Sequence, residues 1–243
     1  MVRKFLVFQH NPWEGPGKVL REAALGNAVE LDVVRTWEER IPDLAPYDCL
    51  VVLGGGPNVD QEDEFPFLVE EKKAIKKSLA DNRPYLGFCL GHQLLAEALG
   101  AQVGRNHKSS IGFVTGYLTH RGHDHPAFNG LPDCFPIFKW HSQTVKEPLP
   151  GHLRILATSN ECQVEALSVI GRPHILGLQF DNHSASLSEV ESWLDKDEAW
   201  LSTLQDQVVN RNKMLAAAEQ NSMEIKCEFE MFFTNFLKLI NTI

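Results

Sequence analysis

The sequence predicts an α/β protein whose central sheet is mostly parallel. Short apolar runs alternate along the first half of the chain with stretches in which apolar residues recur every three or four positions, as strands and helices alternate in such folds. The run at residues 49–53 is apolar throughout, which is typical of a parallel strand covered on both faces. A chain of 243 residues is long enough for one such domain with an appendage.

The first half of the chain supplies the elements of the parallel sheet. Strands are predicted at residues 5–8, 29–34, 49–53 and 84–88, and helices at residues 17–25, 67–79 and 90–99. The helices are predicted from apolar side chains at i, i+3 and i+4 spacings. Ligands of parallel sheets bind beyond the carboxyl ends of the strands. The residues that follow these strands are therefore the candidates for a functional site.

The third predicted strand ends in three glycines, Gly54, Gly55 and Gly56. A glycine cluster at the end of a buried strand leaves backbone N–H groups uncovered, which suits the binding of an anion or a developing oxyanion. A tight turn without a binding role explains the same residues equally well, so the cluster alone leaves both interpretations open.

Residues 84–95 have the pattern of a nucleophile elbow, in which a strand turns sharply into a helix. Cys89 lies at the turn, with Gly87 and Gly91 two residues away on either side. The first turn of a helix favours the thiolate form of a cysteine. We therefore predict that Cys89 is a nucleophile, in preference to the alternative that it is a small buried apolar residue.

The second half of the chain predicts antiparallel strands and then helices. Strand-like pieces lie at residues 113–118, 135–140, 153–157, 165–170 and 175–180. They complete one domain over residues 1–195, and residues 196–243 form a helical extension. Ser188 and Glu191 have the spacing of a capping box, which predicts a helix start near the end of the domain.

The last segment of the chain carries an apolar stripe that includes Phe229, Phe232, Phe233 and Phe236. Side chains at this spacing lie on one face of a helix. The stripe predicts packing on the domain, with a homodimer or partner interface as the alternative.

Composition excludes several classes of function. The net charge of −9 argues against a nucleic-acid partner held by a basic face, and no apolar run reaches the length of a membrane span. The five cysteines are odd in number and lack a C-x-x-C pair, so we expect no disulfide framework and a reducing cytoplasm. The histidines at residues 120–125 lack the spacing of known metal sites. We predict no metal and no cofactor.

Four motifs together carry a family resemblance: residues 54–57 (Gly-Gly-Gly-Pro), 87–93 (Gly-Phe-Cys-Leu-Gly-His-Gln), 140–144 (Trp-His-Ser-Gln-Thr) and 177–180 (Gly-Leu-Gln-Phe). In order and spacing they resemble the class I glutamine amidotransferase domain, in particular stand-alone proteins similar to the amidotransferase domain of GMP synthase. The resemblance covers roughly residues 3–195. It implies a flavodoxin-like three-layer sandwich in which cysteine attacks the side-chain amide of glutamine, ammonia leaves, and a glutamyl thioester is hydrolysed.

The resemblance also implies roles for individual residues. Cys89 would be the nucleophile, and the N–H groups of Leu90 and of Gly55 or Gly56 would form the oxyanion hole. The glutamine pocket would be lined by Gln93, His141, Ser142 and Gln143. An amidotransferase without a synthase domain needs a separate ammonia-accepting synthase or acts as a glutaminase. A γ-glutamyl compound other than glutamine would undergo the same cysteine chemistry.

One motif departs from the family. Where the family has His-Pro-Glu, this chain has Asp181, Asn182 and His183, so an acid occupies the position of the histidine base. An aspartate is a weak proton acceptor for a thiol, and its charge opposes thiolate formation. Two hypotheses follow. In one, the enzyme is active because His183 reaches Cys89 through a changed loop and Asp181 orients it; in the other, the protein is a pseudoenzyme that only binds a ligand or partner.

Overall fold

The computed structural model describes residues 2–242. Its strands are β1 (Arg3–Gln9), β2 (Val29–Arg35), β3 (Cys49–Val52), β4 (Tyr85–Phe88), β5 (Val103–Leu118), β6 (Cys134–Val145), β7 (Leu153–Ser159), β8 (Ala166–Val169) and β9 (Arg172–Leu178). Its helices are α1 (Lys18–Gly26), α2 (Phe67–Ala80), α3 (Leu90–Ala98), α4 (His120–His123), α5 (Leu187–Lys196), α6 (Glu198–Thr203) and α7 (Arg211–Ile240).

The strands form one sheet in the order β2-β1-β3-β4-β9-β8-β7-β5-β6. The five strands from β2 to β9 are parallel, and the pairs from β9 to β6 are antiparallel. This confirms the predicted α/β fold with its parallel part and antiparallel completion. Because β9 pairs directly with β4, with Gly177 opposite Gly87, the segment after β9 lies beside the segment after β4.

Alternate residues of the parallel strands face two separate cores, which makes the three-layer sandwich. Phe5 and Val7 face the core that contains α1 and α7. Leu6 and Phe8 face the core that contains α2 and α3. Helices therefore cover both faces of the parallel strands and leave their carboxyl ends open, where a ligand site of this fold is expected.

The aromatic stripe of α7 is buried within its own chain. Phe229, Phe232, Phe233 and Phe236 belong to the core beside α1, so these side chains are not available to a second copy. Phe88 at the end of β4 packs between the rings of His183 and Phe229, at centroid distances of 4.2 and 6.1 Å. The long helix thus supports the elbow strand from behind. Within residues 2–242, no helix is both long and apolar enough to cross a bilayer.

The C-terminal helices bring further aromatic residues to the carboxyl end of the sheet. Helix α5 begins after Ser186, whose hydroxyl donates to Glu189 Oε2 at 2.7 Å. Trp193 of α5 packs against Phe138 and Trp140 of β6. Helix α6 follows directly, and its Trp200 lies against the same aromatic group. The extension therefore contributes to the wall of the site described next.

Candidate active site

Cys89 occupies a strained turn between β4 and α3. Its φ of 44° and ψ of −102° lie outside the regions that a non-glycine residue normally adopts, as is expected of the nucleophile in an elbow. The Cys89 N–H donates to the Leu178 carbonyl of β9 at 2.9 Å, and the Gly91 N–H donates to the Leu53 carbonyl at 3.1 Å. These bonds to two neighbouring strands hold the turn in its strained form.

The two glycines of the elbow are required by close packing. A Cβ on Gly91 would lie 2.1 Å from the Val52 carbonyl oxygen, and a Cβ on Gly87 would lie 2.5 Å from the Gly91 carbonyl oxygen. Both distances are too short for any side chain. The turn can therefore approach β3 closely only because these positions lack side chains, and this approach places Cys89 beside the glycine cluster.

The residues predicted to bind substrate surround one cavity of about 500 Å³. Its wall contains Cys89 together with Gly55, Gly56, Leu90, Gln93, His141, Ser142 and Gln143. The volume lies in the range of small-molecule sites. The structure thus brings together seven residues from three segments of the chain with the predicted nucleophile.

Gln93 and His141 are held in place by hydrogen bonds within the wall. Gln93 Nε2 donates to the Gln143 carbonyl at 3.1 Å and to Gln179 Oε1 at 3.2 Å. His141 Nδ1 donates to the same Gln143 carbonyl at 2.8 Å. Burial, with the nearby Lys139 charge, lowers the pKa of His141 well below its ordinary value. The ring is therefore neutral and fixed, which suits a role in lining the pocket.

The glycine cluster is anchored by a buried histidine that the sequence motifs do not reveal. His10 Nδ1 donates to the Gly54 carbonyl at 2.7 Å, and His10 Nε2 donates to Glu71 Oε1 at 2.8 Å. Burial lowers the pKa of His10, but Glu71, with smaller contributions from the Gly54 carbonyl and the charge of Glu14, more than offsets this and raises the pKa above its ordinary value. A Cβ on Gly55 would lie 2.6 Å from His10 Cβ. The His10 ring therefore fixes the loop whose N–H groups are candidates for an oxyanion hole.

Burial dominates the ionisation of the Cys89 thiol. It raises the pKa of Cys89 well above its ordinary value, and the charges of Asp181 and Glu14 add to this rise. Lys139 and a hydrogen bond from the Leu90 N–H act in the opposite direction. The thiol is consequently the resting form, and a nucleophilic reaction needs a group that removes its proton.

Asp181 and His183 lie two residues apart in the turn that follows β9, with Asp181 near the elbow and His183 against Phe88. A Cβ built on Gly54 would lie 3.2 Å from Asp181 Oδ1 and 3.4 Å from Cys89 Cβ, so the carboxyl of Asp181 is next to the elbow. His183 instead stacks on Phe88. Neither residue belongs to the wall of the cavity. Burial raises the pKa of Asp181 well above its ordinary value and lowers that of His183 to about 3.

Glu14 is the carboxyl group in the wall of the cavity beside Cys89, and the sequence motifs miss it. A Cβ built on Gly54 would lie 3.4 Å from Glu14 Oε2. Cys89 and Asp181 approach the same side of Gly54 at similar distances. Asn11 Nδ2 donates to the other oxygen, Oε1, at 2.6 Å. Burial, with the charge of Asp197, raises the pKa of Glu14 to about 7. Glu14 can therefore both lose and gain a proton near neutrality.

Comparison with known proteins decides the family. The family model described as Glutamine amidotransferase class-I matches residues 18–186. The chain belongs to the class I glutamine amidotransferase family. A glutamine-hydrolyzing GMP synthase subunit of Thermococcus kodakarensis is 33% identical over 130 residues, which are 54% of this chain and 63% of that protein. The corresponding protein of Pyrococcus abyssi is 32% identical over 147 residues, 58% of this chain and 72% of that protein.

Solved structures agree on the fold of this amidotransferase chain. A glutamine amidotransferase from Thermotoga maritima has a TM-score of 0.86 at 24% identity, and the match covers 98% of this chain and 99% of that one. A glutamine amidotransferase from Methylobacillus flagellatus has a TM-score of 0.85 at 21% identity and covers 98% and 96% of the two chains. Both matches extend over the C-terminal helices, and both confirm the flavodoxin-like architecture.

A buried ion pair lies close to the candidate active site. The ammonium of Lys139 on β6 contacts Glu165 Oε1, and both side chains are fully buried. The Ser159 hydroxyl donates to the same oxygen at 2.5 Å. The positive charge of Lys139 lowers the pKa values of Cys89 and Asp181 relative to burial alone. Lys139 therefore partly offsets the effect of burial on both groups.

A second feature of this amidotransferase is a group that we name the tryptophan site: Trp13, Trp140, Trp200 and Asp197. All four line the cavity. Trp13 Nε1 donates to Asp197 Oδ1 at 3.1 Å, and Trp140 Nε1 donates to Asp197 Oδ2 at 2.8 Å. The rings of Trp140 and Trp200 lie 6.3 Å apart. These residues come from three distant segments of the chain, so no local motif predicts their meeting.

Proposed function

We propose that the chain hydrolyses the side-chain amide of glutamine or another γ-glutamyl amide, with Cys89 as the nucleophile. The observation that carries this proposal is the strained backbone of Cys89 at the wall of a cavity. Backbone strain of this kind persists only where the surroundings enforce it, and it clusters at functional sites. Membership of the amidotransferase family supports the same chemistry.

The reaction follows from the groups in the cavity. The Cys89 sulfur loses its proton and attacks the amide carbon, the C–N bond breaks, and the nitrogen leaves as ammonia or an amine with the proton that the thiol gave up. Water then attacks the thioester, which yields the γ-carboxylate and restores the thiol. The N–H groups of Leu90 and of Gly55 or Gly56 would stabilise the negative oxygen in both steps. The glutamyl half would be held by Gln93, His141, Ser142 and Gln143.

Glu14 is our candidate for the group that carries the proton. It lines the same cavity as Cys89. Its Oε1 accepts a hydrogen bond from Asn11, and its Oε2 lies near Gly54. A carboxyl with a pKa of about 7 is suited to general acid–base catalysis at neutral pH. The proton can therefore pass from Cys89 to Glu14 and from there to the departing nitrogen.

The pair Asp181 and His183 offers a second route for the proton. His183 would accept it and Asp181 would orient the ring, as the swapped motif suggests. This route requires the turn Asn182–Ser184 to move, because the His183 ring stacks on Phe88 and its pKa is lowered to about 3. A ring with so low a pKa is a weak base until it leaves this environment.

A binding protein without turnover is the second candidate function. The raised pKa of Cys89 and the place of His183 outside the cavity wall favour it. Such a protein would keep the pocket for a ligand or for assembly with a partner.

The relatives suggest where released ammonia would go. They are named as subunits of a glutamine-hydrolyzing GMP synthase. We propose that ammonia from this chain passes to a separate synthase, or that the chain acts alone as a glutaminase.

All five cysteines are free, and we therefore assign the protein to the reducing cytoplasm.

Ammonia release distinguishes the two candidate functions. Purified protein is supplied with glutamine and with a γ-glutamyl alkylamide, and ammonia or amine is measured for the wild type, Cys89→Ser and Cys134→Ser. Cys134 is exposed and serves as the matched control. We expect turnover in the wild type and in Cys134→Ser, and its loss in Cys89→Ser. If there is no turnover and a diazoketone analogue of glutamine forms no adduct on Cys89, the chain is a binding protein without catalytic activity.

A further inference from the structure

The tryptophan site has the chemistry of a subsite for an organic cation. The faces of indole rings attract ammonium groups, and a carboxylate beside them supplies a counter-charge. Both oxygens of Asp197 accept a hydrogen bond from an indole. Burial raises the pKa of Asp197, and these two bonds act in the opposite direction, so an ammonium group placed beside the carboxyl would favour its ionised form further. The same two bonds fix the rings of Trp13 and Trp140 around the carboxylate. The site is therefore built before a ligand arrives.

The charge of the cavity wall supports the same ligand chemistry. Of the described residues that form the wall, none is a lysine or an arginine, whereas Glu14 and Asp197 both carry carboxyl groups. The ring of His10 is already paired with Glu71. Glutamine brings a single ammonium together with a carboxylate, so it has no net charge. An additional ammonium group on the ligand would favour the ionised form of both carboxyls, so a ligand of this kind fits the wall better than glutamine does.

The position of the tryptophan site assigns it to the amine half of the substrate. Three of the four residues, Trp13, Asp197 and Trp200, lie outside residues 18–186, which the family model matches, whereas Trp140 lies inside and adjoins the glutamyl segment. Gln93 and the segment 141–143, which would hold the glutamyl half, lie inside it. The chemistry common to the family concerns the glutamyl half, so residues outside the match are free to contact the remainder. A cavity of about 500 Å³ has room for more than glutamine.

We propose that the tryptophan site binds an ammonium group in the amine half of the substrate, so that the substrates are γ-glutamyl amides of diamines or related cationic amines. The identity of the glutamyl half rests on the function proposed above. The cation subsite itself depends only on the four side chains and their contacts.

Binding measured on Cys89→Ser tests the subsite without turnover. Three probes are titrated by calorimetry: the γ-glutamyl amide of 1,4-diaminobutane, γ-glutamyl butylamide, which lacks the tail ammonium, and the glutaryl amide of 1,4-diaminobutane, which lacks the α-ammonium. We expect removal of the tail ammonium to weaken binding about tenfold or more, since a desolvated ammonium over an indole contributes on this scale. Hydrolysis of the same two γ-glutamyl amides by the wild type is measured in parallel.

Variants connect this preference to the tryptophan site. Asp197→Asn and Trp200→Leu, each in the Cys89→Ser background, should reduce the difference between the diaminobutane and butyl amides to about threefold or less. Trp200→Leu leaves both indole bonds to Asp197 in place, so it keeps the test valid if Asp197→Asn unfolds. Glu198→Gln is the control, because it removes one negative charge from the neighbouring position on α6. It should retain the full preference.

Each outcome bears on a different claim. Equal affinity for the diaminobutane and butyl amides would overturn the subsite, even if the wild type hydrolyses both. A preference that survives Asp197→Asn and Trp200→Leu would also overturn it, as would a dependence on the α-ammonium alone. The subsite is supported if Cys89→Ser prefers the cationic tail and both further variants lose this preference. This conclusion holds even if the wild type hydrolyses neither amide, because only the proposed reaction would then fail.

Discussion

Asp181 and His183 lie side by side without a hydrogen bond, since 4.0 Å separates Asp181 Oδ1 from His183 Nδ1 and both atoms are buried without a partner among the described residues. The acid is next to the nucleophile and the histidine faces the core behind it. In the family motif His-Pro-Glu, the histidine stands at the position of Asp181 and the acid stands at the position of His183. The chemistry of the site consequently depends on whether another group replaces the missing histidine.

Restoring the family order tests whether the absent histidine limits the rate. In Asp181→His with His183→Glu, an imidazole occupies the position next to Cys89, and a carboxylate follows two residues later. General acid–base catalysis contributes about two to four orders of magnitude, so we expect ammonia release to rise at least about tenfold. Asp181→His alone should give part of the gain. If folded double-variant protein is no faster than the wild type, proton transfer to a histidine is not what limits the enzyme.

Glu14→Gln tests the proposed proton carrier. The ionised carboxyl is the base, and its pKa is raised to about 7, so the wild-type rate should rise with pH and level off above about 7. The variant should lose this inflection and about a hundredfold or more in rate. Glu30→Gln, on the exposed edge of β2, should leave the profile unchanged. A Glu14→Gln profile identical to that of the wild type would exclude Glu14 as the base.

His183 should make the protein sensitive to acid. Burial lowers its pKa from 6.5 to about 3, so its contribution to stability is complete above about pH 6.5 and is lost as the pH falls toward 3. Between pH 7 and pH 4 this amounts to about 3 kcal/mol. Urea unfolding of His183→Gln should show a smaller loss over that interval. His120→Gln, an exposed control, should behave as the wild type does; equal losses in all three proteins would contradict the assignment.

Removing Lys139 should leave a buried carboxylate without its counter-ion. We expect Lys139→Met to lower the free energy of unfolding by about 3–5 kcal/mol, and addition of Glu165→Gln to recover most of it. Lys226→Met, which breaks an exposed pair with Glu22, should have a far smaller effect because solvent screens this pair. Urea denaturation compares the three variants. A Lys139→Met protein as stable as Lys226→Met would mean that Glu165 does not need this partner.

The sequence predicts the features that short motifs encode. The elbow at Cys89 and the glycine cluster each combine a strand end with glycines, and the family resemblance adds Gln93 and the segment 141–143. The strand and helix assignments of the parallel half are confirmed to within one or two residues. Hydrophobic periodicity is a local property, and it suffices where neighbouring elements in the chain are neighbours in the fold.

The residues that the sequence does not predict come from distant segments. Glu14 and His10 follow the first strand, where nothing distinguishes them from surface residues until the loop is folded over Gly54. The tryptophan site needs residues 13, 140, 197 and 200 to meet, which depends on the docking of the C-terminal helices.

The capping box predicted at Ser188 and Glu191 is wrong by two residues. Helix α5 begins at Leu187, and the side chains that pair at its start are those of Ser186 and Glu189. Serine and glutamate recur at the same three-residue spacing in this segment, so the pattern alone does not choose between the two pairs.

The contact of Phe88 with Phe229 has a consequence for biosynthesis. Helix α7 leaves the ribosome well after Cys89 has emerged, so the elbow is made long before the ring that supports it from behind. Until that helix arrives, one side of the parallel layer presents bare aromatic surface to the cell. We expect the nascent chain to be most prone to aggregation during this interval.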